Sequence, residues 1–259
     1  MNTKAFDTNN TYIEVQNVDF FYGKKQVLFN NCLTHRKNSI LALIGPAGAG
    51  KSTHLRLYNR LFDLHKDRHA QGAVYIDGIN ILDQKYDLIK LRKNVGMIFR
   101  QPTPFPMSIF ENIAYGIRLH YKLTKSTLAE RVRVALETVL LWNEVKDRLN
   151  GHAYKLTPAQ QQLLCIARSI AIDPELILMD EPTAEIDAIS AGKLEDLIGT
   201  LKKKYTIIIV PQNLQQAARV SDFSIFFNDG RIVEAVPTNQ LFTNPTNKQT
   251  EDYITGRSV

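Results

Sequence analysis

Gly45-Pro46-Ala47-Gly48-Ala49-Gly50-Lys51-Ser52-Thr53 decides how this chain reads. The run has the spacing G-x-x-x-x-G-K-S, that of a phosphate-binding P-loop. Its glycines let the backbone curl so that successive N–H groups converge on phosphate oxygens. Lys51 brings a compact positive charge to the outer phosphates, and the Ser52 hydroxyl is a ligand for Mg2+. The flanks agree. Ser39 to Ile44 is a short apolar run, as a buried strand requires. Beyond the loop, Leu57, Leu61 and Leu64 fall at i, i+4 and i+7. That spacing predicts a helix which buries one face and aims its N-terminal dipole at the phosphates. A chance glycine-rich turn would carry neither flank.

Working outward, 259 residues suffice for one α/β domain or two small ones, and 44% hydrophobic content suffices for a core. The net charge is +6, but the 32 basic residues are dispersed, and the densest run, Lys202-Lys203-Lys204, reads as a solvated helix end. No nucleic-acid partner is expected. Cys32 and Cys165 match no metal-ligand spacing and lie among apolar residues, so buried free thiols in a reducing compartment are expected. His65 and His69 are spaced i, i+4, but in a charged stretch that reads as a solvated loop. No apolar run approaches the ~20 residues of a membrane helix. Met1 to Asn10 is polar with no signal-peptide core, and residues 1–11 are read as a flexible segment.

Tyr12 to Phe20 alternates as a half-exposed strand with an irregularity near its end, and a second strand covers Gln26 to Phe29. Ala73 to Ile76 is a strand, Asp77-Gly78 a turn, and Ile79 to Leu82 pairs back. Asp87 to Lys93 reads as helix and Val95 to Phe99 as strand. Three prolines between Pro102 and Pro106 forbid helix and sheet interior alike. Helices follow at Ser108 to about His120 and at Thr127 to Leu141, the latter with a stripe of Leu128, Val132, Ala135 and Val139. Thr157 as N-cap, Pro158 at N1 and Gln160 at N3 form a capping-box pattern that opens another helix, which Asp173-Pro174 ends. Leu176 to Met179 and Thr206 to Val210 are buried strands, with a helix from about Ala188 to Lys203 between them. A helix near Asn213 to Val220, a strand at Phe223 to Phe227 and a turn at Asn228-Asp229-Gly230 into Arg231 to Val236 complete the order.

The fold class is α/β: a P-loop nucleotide-hydrolase core on a parallel, RecA-like sheet. It carries an N-terminal antiparallel β layer and an inserted α-helical subdomain at about 102–170, in one domain spanning 12–257. The strand ends of such a sheet gather ligand-binding loops on one edge. Asp180-Glu181 leaves the Leu176–Met179 strand there. Asp180 is placed to hold Mg2+ through water, and Glu181 to polarise an attacking water.

The order of P-loop, proline-rich loop, Leu156–Gln160 before a helix, and Leu178-Met179-Asp180-Glu181-Pro182-Thr183 resembles that of ABC-type ATPases. Finer strings resemble the ATPase subunit of phosphate importers: Pro104-Phe105-Pro106-Met107-Ser108-Ile109, Ala114-Tyr115-Gly116, Leu141 to Leu149, Gln215 to Asp222, and Thr250-Glu251-Asp252-Tyr253-Ile254-Thr255-Gly256-Arg257. The likeness runs from about Tyr12 to Arg257.

The resemblance implies that Tyr22 stacks on adenine and that Gly45, Pro46, Ala47, Gly48, Ala49, Gly50, Lys51, Ser52 and Thr53 bind the triphosphate of ATP. Asp180 supports Mg2+ with Ser52, Gln101 is a further candidate ligand, and Glu181 is the catalytic carboxylate. It also implies a second ATPase subunit paired head to tail, either a copy or a paralogue, so that Thr157, Pro158, Ala159 and Gln160 meet the partner's ATP. Two membrane permease subunits are met through about 101–120, and an extracytoplasmic phosphate-binding protein takes part indirectly. The expected location is the cytoplasmic face of the bacterial inner membrane, as a peripheral subunit.

The departures from the family pattern matter as much. The signature Leu-Ser-Gly-Gly-Gln is here Leu156-Thr157-Pro158-Ala159-Gln160. Pro158 has no N–H to give, and Ala159 adds a Cβ where phosphate approaches. Arg100 stands where the glutamine loop has Gln, with Gln101 one place on. Gln212 replaces the switch histidine and cannot carry charge. The loop after Asp180-Glu181 is altered at Ala184-Glu185-Ile186, although Asp187 survives. Binding elements are thus intact and hydrolysis elements are changed. Paired with an intact paralogue, the chain would put its signature in one composite site and its Gln212 in the other, so both sites would carry a defect. The leading function is an ATPase energising phosphate import. A weakly hydrolysing regulatory subunit is the second class. A soluble ABC ATPase of translation or DNA repair is the third, against which stands the lack of a second ATPase unit or long coiled-coil insertion.

Overall fold

The computed structural model describes residues 11–257. The segment expected to be flexible lies outside them, except Thr11, which opens the first strand. Two sheets carry the chain. The antiparallel sheet has the order β2-β1-β4-β5, from β1 (Thr11–Tyr22), β2 (Lys25–Arg36), β4 (Arg68–Ile76) and β5 (Ile79–Asn80). The second has the order β10-β9-β3-β8-β7-β6, from β3 (Ile40–Ile44), β6 (Val95–Ile98), β7 (Leu176–Asp180), β8 (Thr206–Val210), β9 (Phe223–Asn228) and β10 (Arg231–Pro237). Its strands run parallel from β9 through β3, β8, β7 and β6, and only β10 is antiparallel, at an edge.

Strands β3, β7 and β8 are buried at every residue, which explains their apolar runs, polar only at Asp180, which ends β7, and Thr206, which opens β8. Their alternation of side chains supplies two cores. Ile40, Ala42, Ile44, Ile177, Met179, Ile207 and Ile209 face one core with the helices. Leu41, Leu43, Leu176, Leu178, Ile208 and Val210 face the other, against the antiparallel sheet. The β3 strand is therefore central to the sheet and clamped from both sides, so the loop after it has a rigid root.

Helices α1 (Lys51–Leu55) and α2 (Leu88–Asn94) come first in the chain, the latter N-capped by Asp87. Between β6 and β7 lie α3 (Ile109–His120), α4 (Lys125–Thr138), α5 (Trp142–Val145) and α6 (Pro158–Ile170). The stripe Leu128, Val132, Ala135 and Val139 is buried, as its spacing requires. At Thr157 both bonds of the capping box form: Gln160 N–H donates to Thr157 Oγ1 at 3.3 Å, and Thr157 N–H donates to Gln160 Oε1 at 3.1 Å. The chain continues through α7 (Ala188–Leu201), α8 (Leu214–Val220), α9 (Thr238–Thr243) and α10 (Lys248–Ile254).

Several expectations change. The helix after the P-loop is a single short α1; Leu64 lies in a 3-10 turn and is 64% exposed. Past α1 the chain turns at Arg60, in a left-handed conformation at φ 50° just before the 3-10 turn, and its guanidinium is held by the carbonyls of Ile81 and Asp83 and by Asp63. The second strand runs on past Phe29 to Arg36, because a bulge at Asn30 absorbs the polar residues. His69 is a strand residue whose ring stacks on Phe21 at 4.7 Å, not part of a loop. Cys32 is only half-buried and bonds with Asn17, whereas Cys165 is buried; both are free thiols. The irregularity foreseen near the end of the first strand is met by register shifts between Val18 and Phe20 and between Phe20 and Phe21, and another falls earlier, between Val15 and Val18, with Asn17 at φ 48°.

Candidate functional site

The P-loop leaves β3 at Gly45, whose φ is 142°; a Cβ there would stand 2.1 Å from the carbonyl oxygen of Phe227 on β9. Only glycine lets β3 turn out of the sheet so close to its neighbour. Gly50, at φ 98°, then starts α1. Lys51 folds back over the loop and donates to the carbonyls of Gly45 and Pro46, each at 2.7 Å. Burial lowers its pKa, and the carboxylates of Glu181 and Asp180 partly restore it.

Ser52 donates to Asp180 Oδ1 at 2.8 Å, so the hydroxyl of α1 and the carboxylate ending β7 are already in contact. Asp180 is buried, and its other oxygen is paired with Arg56 at 3.1 Å. These two hard oxygen donors fit Mg2+, which takes one or two protein ligands together with substrate phosphates and water. Among the described residues no group of three or more His, Cys, Asp or Glu forms a self-sufficient metal site, so a metal here would depend on phosphate oxygens.

Glu181 follows at φ 47°, its N–H bonded to the carbonyl of Val210 at 2.8 Å. That left-handed backbone, costly for a residue with a Cβ, turns its carboxylate away from the sheet toward the P-loop. Arg100 reaches it: the guanidinium pairs with Glu181 at 3.3 Å and with Glu185 at 3.2 Å. Gln101, the candidate ligand one place on, is exposed, and Arg100 rather than Gln101 meets the Asp180-Glu181 corner.

Gln212 is exposed at the end of β8. Its Oε1 accepts from Thr183 Oγ1 at 3.2 Å, and its N–H donates to Gln216 Oε1 at 2.8 Å. Gln216 in turn donates to Thr183 and to Glu195, which Arg219 holds. The switch position is thus tied to the loop after Asp180-Glu181 through neutral hydrogen bonds. A cleft of about 270 Å³ gathers Gly45, Ala47, Lys51, Glu181, Gln212 and Tyr253. Tyr22 stands beside the loop: its hydroxyl bonds with Thr53 Oγ1 at 3.0 Å, and the Arg68 guanidinium lies over its ring.

Thr157, Ala159 and Gln160 are not brought to this cleft. They border another of about 460 Å³, with Ile186, Ser190 and Lys193. Gln160 is occupied within its own chain, donating to Glu144 at 2.6 Å. Three residues at the P-loop site do not stand out as ligands from sequence. Arg56 sits one helical turn beyond Ser52, a spacing that could have found it. Arg100 shows in the sequence only as a departure from the glutamine loop. Tyr253 carries no local signal, since it reaches the cleft from the last helix.

Residues 28–184, more than half of the chain, match the profile of the family described as ABC transporter. Solved structures share the fold. CbiO1 from Clostridium perfringens, part of the ABC transporter complex CbiONQ, aligns over 96% of this chain and 97% of its own, with 21% identity and a TM-score of 0.79. A bacterial Atm1-family ABC exporter with ATP bound aligns over 98% of this chain and 44% of its own, at 23% identity and TM-score 0.78. The ATP-binding cassette MJ0796, in a dimeric post-hydrolysis state bound to ADP and Pi, aligns over 87% of this chain and 98% of its own, at 26% identity and TM-score 0.74. Among the described residues no helix is long and apolar enough to cross a membrane.

Proposed function

The chain belongs to the ABC transporter family, and from that premise we propose that it is the ATP-binding subunit of an importer for inorganic phosphate. Residues 12–257 would act as one ATP-binding unit with a helical subdomain at about 102–170. The observation that carries the ATP-binding part is the assembled triad of Lys51, Ser52 and Asp180 around the P-loop, with Glu181 facing the same cleft. The phosphate assignment rests on the sequence strings from Pro104 to Ile109 and from Thr250 to Arg257.

In this reading Lys51 exchanges its two loop carbonyls for terminal phosphate oxygens, and the loop amides take the rest. Ser52 and Asp180 would hold Mg2+, which supplies charge neutralisation between the outer phosphates. Glu181 orients the attacking water. Tyr22 offers its ring to adenine. Thr157 to Gln160 would meet the ATP of a second subunit in a head-to-tail dimer; the MJ0796 cassette is itself described in a dimeric state. The segment 101–120 would seat two permease subunits, placing the chain on the cytoplasmic face of the bacterial inner membrane. Phosphate itself would be chosen by the permease and an extracytoplasmic binding protein, and no nucleic acid is involved.

A second reading has a specific observation behind it. Arg100 neutralises Glu181 and, with Gln212 uncharged and Pro158 lacking an N–H, leaves three positioning elements altered. Losing one such donor costs about 3 kcal/mol, or a hundredfold in rate. The chain would then bind Mg-ATP tightly and split it slowly, using ATP mainly to close the dimer.

The test is ATP hydrolysis by the complex reconstituted with its permease, with and without phosphate-loaded binding protein. Stimulation by the loaded binding protein supports the importer. A complex that phosphate leaves unmoved while another anion stimulates it removes the phosphate assignment.

A further inference from the structure

The last helix, α10, ends against the P-loop, and its anchoring is specific. Glu234 on β10 is 4% exposed. Its carboxylate accepts from Thr246 N–H and Thr246 Oγ1, each at 2.8 Å, and from Asn247 N–H at 3.2 Å. Asn247 then caps α10 through Gln249 N–H at 2.9 Å, and Thr250 is fully buried. This fixes the phase of the helix and delivers Tyr253 to β9, where its ring stacks on Phe226 at 5.0 Å and 26°. Phe226 is the register partner of Ile44, the last residue of β3 before the P-loop. The phenol therefore stands at the root of the loop, in the wall of the cleft that also holds Lys51, Glu181 and Gln212.

Burial raises the pKa of this phenol, and the backbone N–H of Gly45 beside its oxygen offsets part of the rise. The group is a neutral hydroxyl at physiological pH. Gly45 meets the oxygen, and among the described residues no side chain takes the proton, so the O–H remains a free donor. The switch position opposite has lost a charged donor: Gln212 is neutral, and its amide oxygen is engaged by Thr183.

We propose that Tyr253 is a nucleotide-site residue, whose hydroxyl donates a hydrogen bond to the terminal phosphate of a bound nucleoside triphosphate. The proposal rests on the ATP-binding reading above. It makes α10 part of the site, so that this helix senses whether the third phosphate is present.

Tyr253→Phe keeps the ring and its stacking and removes only the hydroxyl. Calorimetric titration of the full chain with ATP and with ADP, in EDTA to block turnover, reads the effect. Loss of one hydrogen bond to a charged oxygen should weaken ATP binding by about tenfold or more and leave ADP binding unchanged. Unchanged ATP affinity overturns the proposal, and so does an equal loss for ATP and ADP, which would mark Tyr253 as a packing residue. If the unmodified chain binds neither nucleotide, in Mg2+ as well as in EDTA, the ATP-binding reading itself fails.

Discussion

Replacing Arg100 with Gln separates the two readings of this site. The guanidinium lies 3.3 Å from Glu181 and 3.2 Å from Glu185. At an effective dielectric of about 20, a pair so close would attract by about 5 kcal/mol. That figure does not survive solvent: the Arg100 side chain is 61% exposed and that of Glu181 31% exposed. Exposed pairs are worth about 0.2–1 kcal/mol. Freeing Glu181 should therefore raise kcat by up to about fivefold, since about 1.4 kcal/mol is tenfold. Arg100→Lys keeps the charge but not the planar fork, and should give a smaller rise. Glu185→Gln breaks only the second pair and should give none. Steady-state phosphate release at saturating ATP measures all three. The reasoning is refuted if Arg100→Gln is as slow as the unmodified chain or slower, or if Glu185→Gln accelerates turnover equally.

The remaining predictions concern the other altered elements and the fold. A variant combining Gln212→His with Thr157→Ser, Pro158→Gly and Ala159→Gly restores the family's switch and signature, and should raise turnover about a hundredfold or more. Phosphate release that already matches in the unmodified chain would show the substitutions to be tolerated. His35 is fully buried against Phe223 and bonded to Ser39, and burial pushes its pKa from 6.5 down to about 4. The unfolded chain therefore binds a proton that the folded chain refuses between those values, so stability present above pH 6.5 is lost as pH falls toward 4. Denaturant unfolding at about pH 7 and about pH 5 should show a loss of about 2 kcal/mol from this residue. A His35→Gln variant with the same acid loss would contradict it.

Much of the fold was legible because it rests on local rules. The strands β3, β7 and β8 are near-continuous apolar runs since both faces are covered. The α6 start was readable because Thr157, Pro158 and Gln160 satisfy its free N–H groups whatever lies around them. What was misread depends on distant contacts. The leucine spacing past α1 is genuine, but α1 ends at Leu55, and the chain beyond it turns at Arg60, which is held by carbonyls of Ile81 and Asp83, about twenty residues on. At the site, the P-loop, Asp180 and Glu181 were readable because phosphate and metal chemistry restrict residue type and spacing. Arg100 on Glu181 and Tyr253 beside Gly45 were not. Each is an ordinary surface-type residue until the sheet brings its strand end or helix to the loop.

The central proposal is that the P-loop of this chain binds ATP, and the second reading adds that ATP is split slowly because the elements that position it depart from the family pattern. Its most direct test is a single preparation in which ATP affinity is measured by calorimetry and turnover by phosphate release, with Lys51→Ala as the control. The account predicts saturable binding that Lys51→Ala abolishes, with turnover of about 0.1 per second, about a hundredfold below a typical enzyme's roughly 10 per second. Turnover of about 10 per second in the unmodified chain, or binding that survives Lys51→Ala, would contradict it.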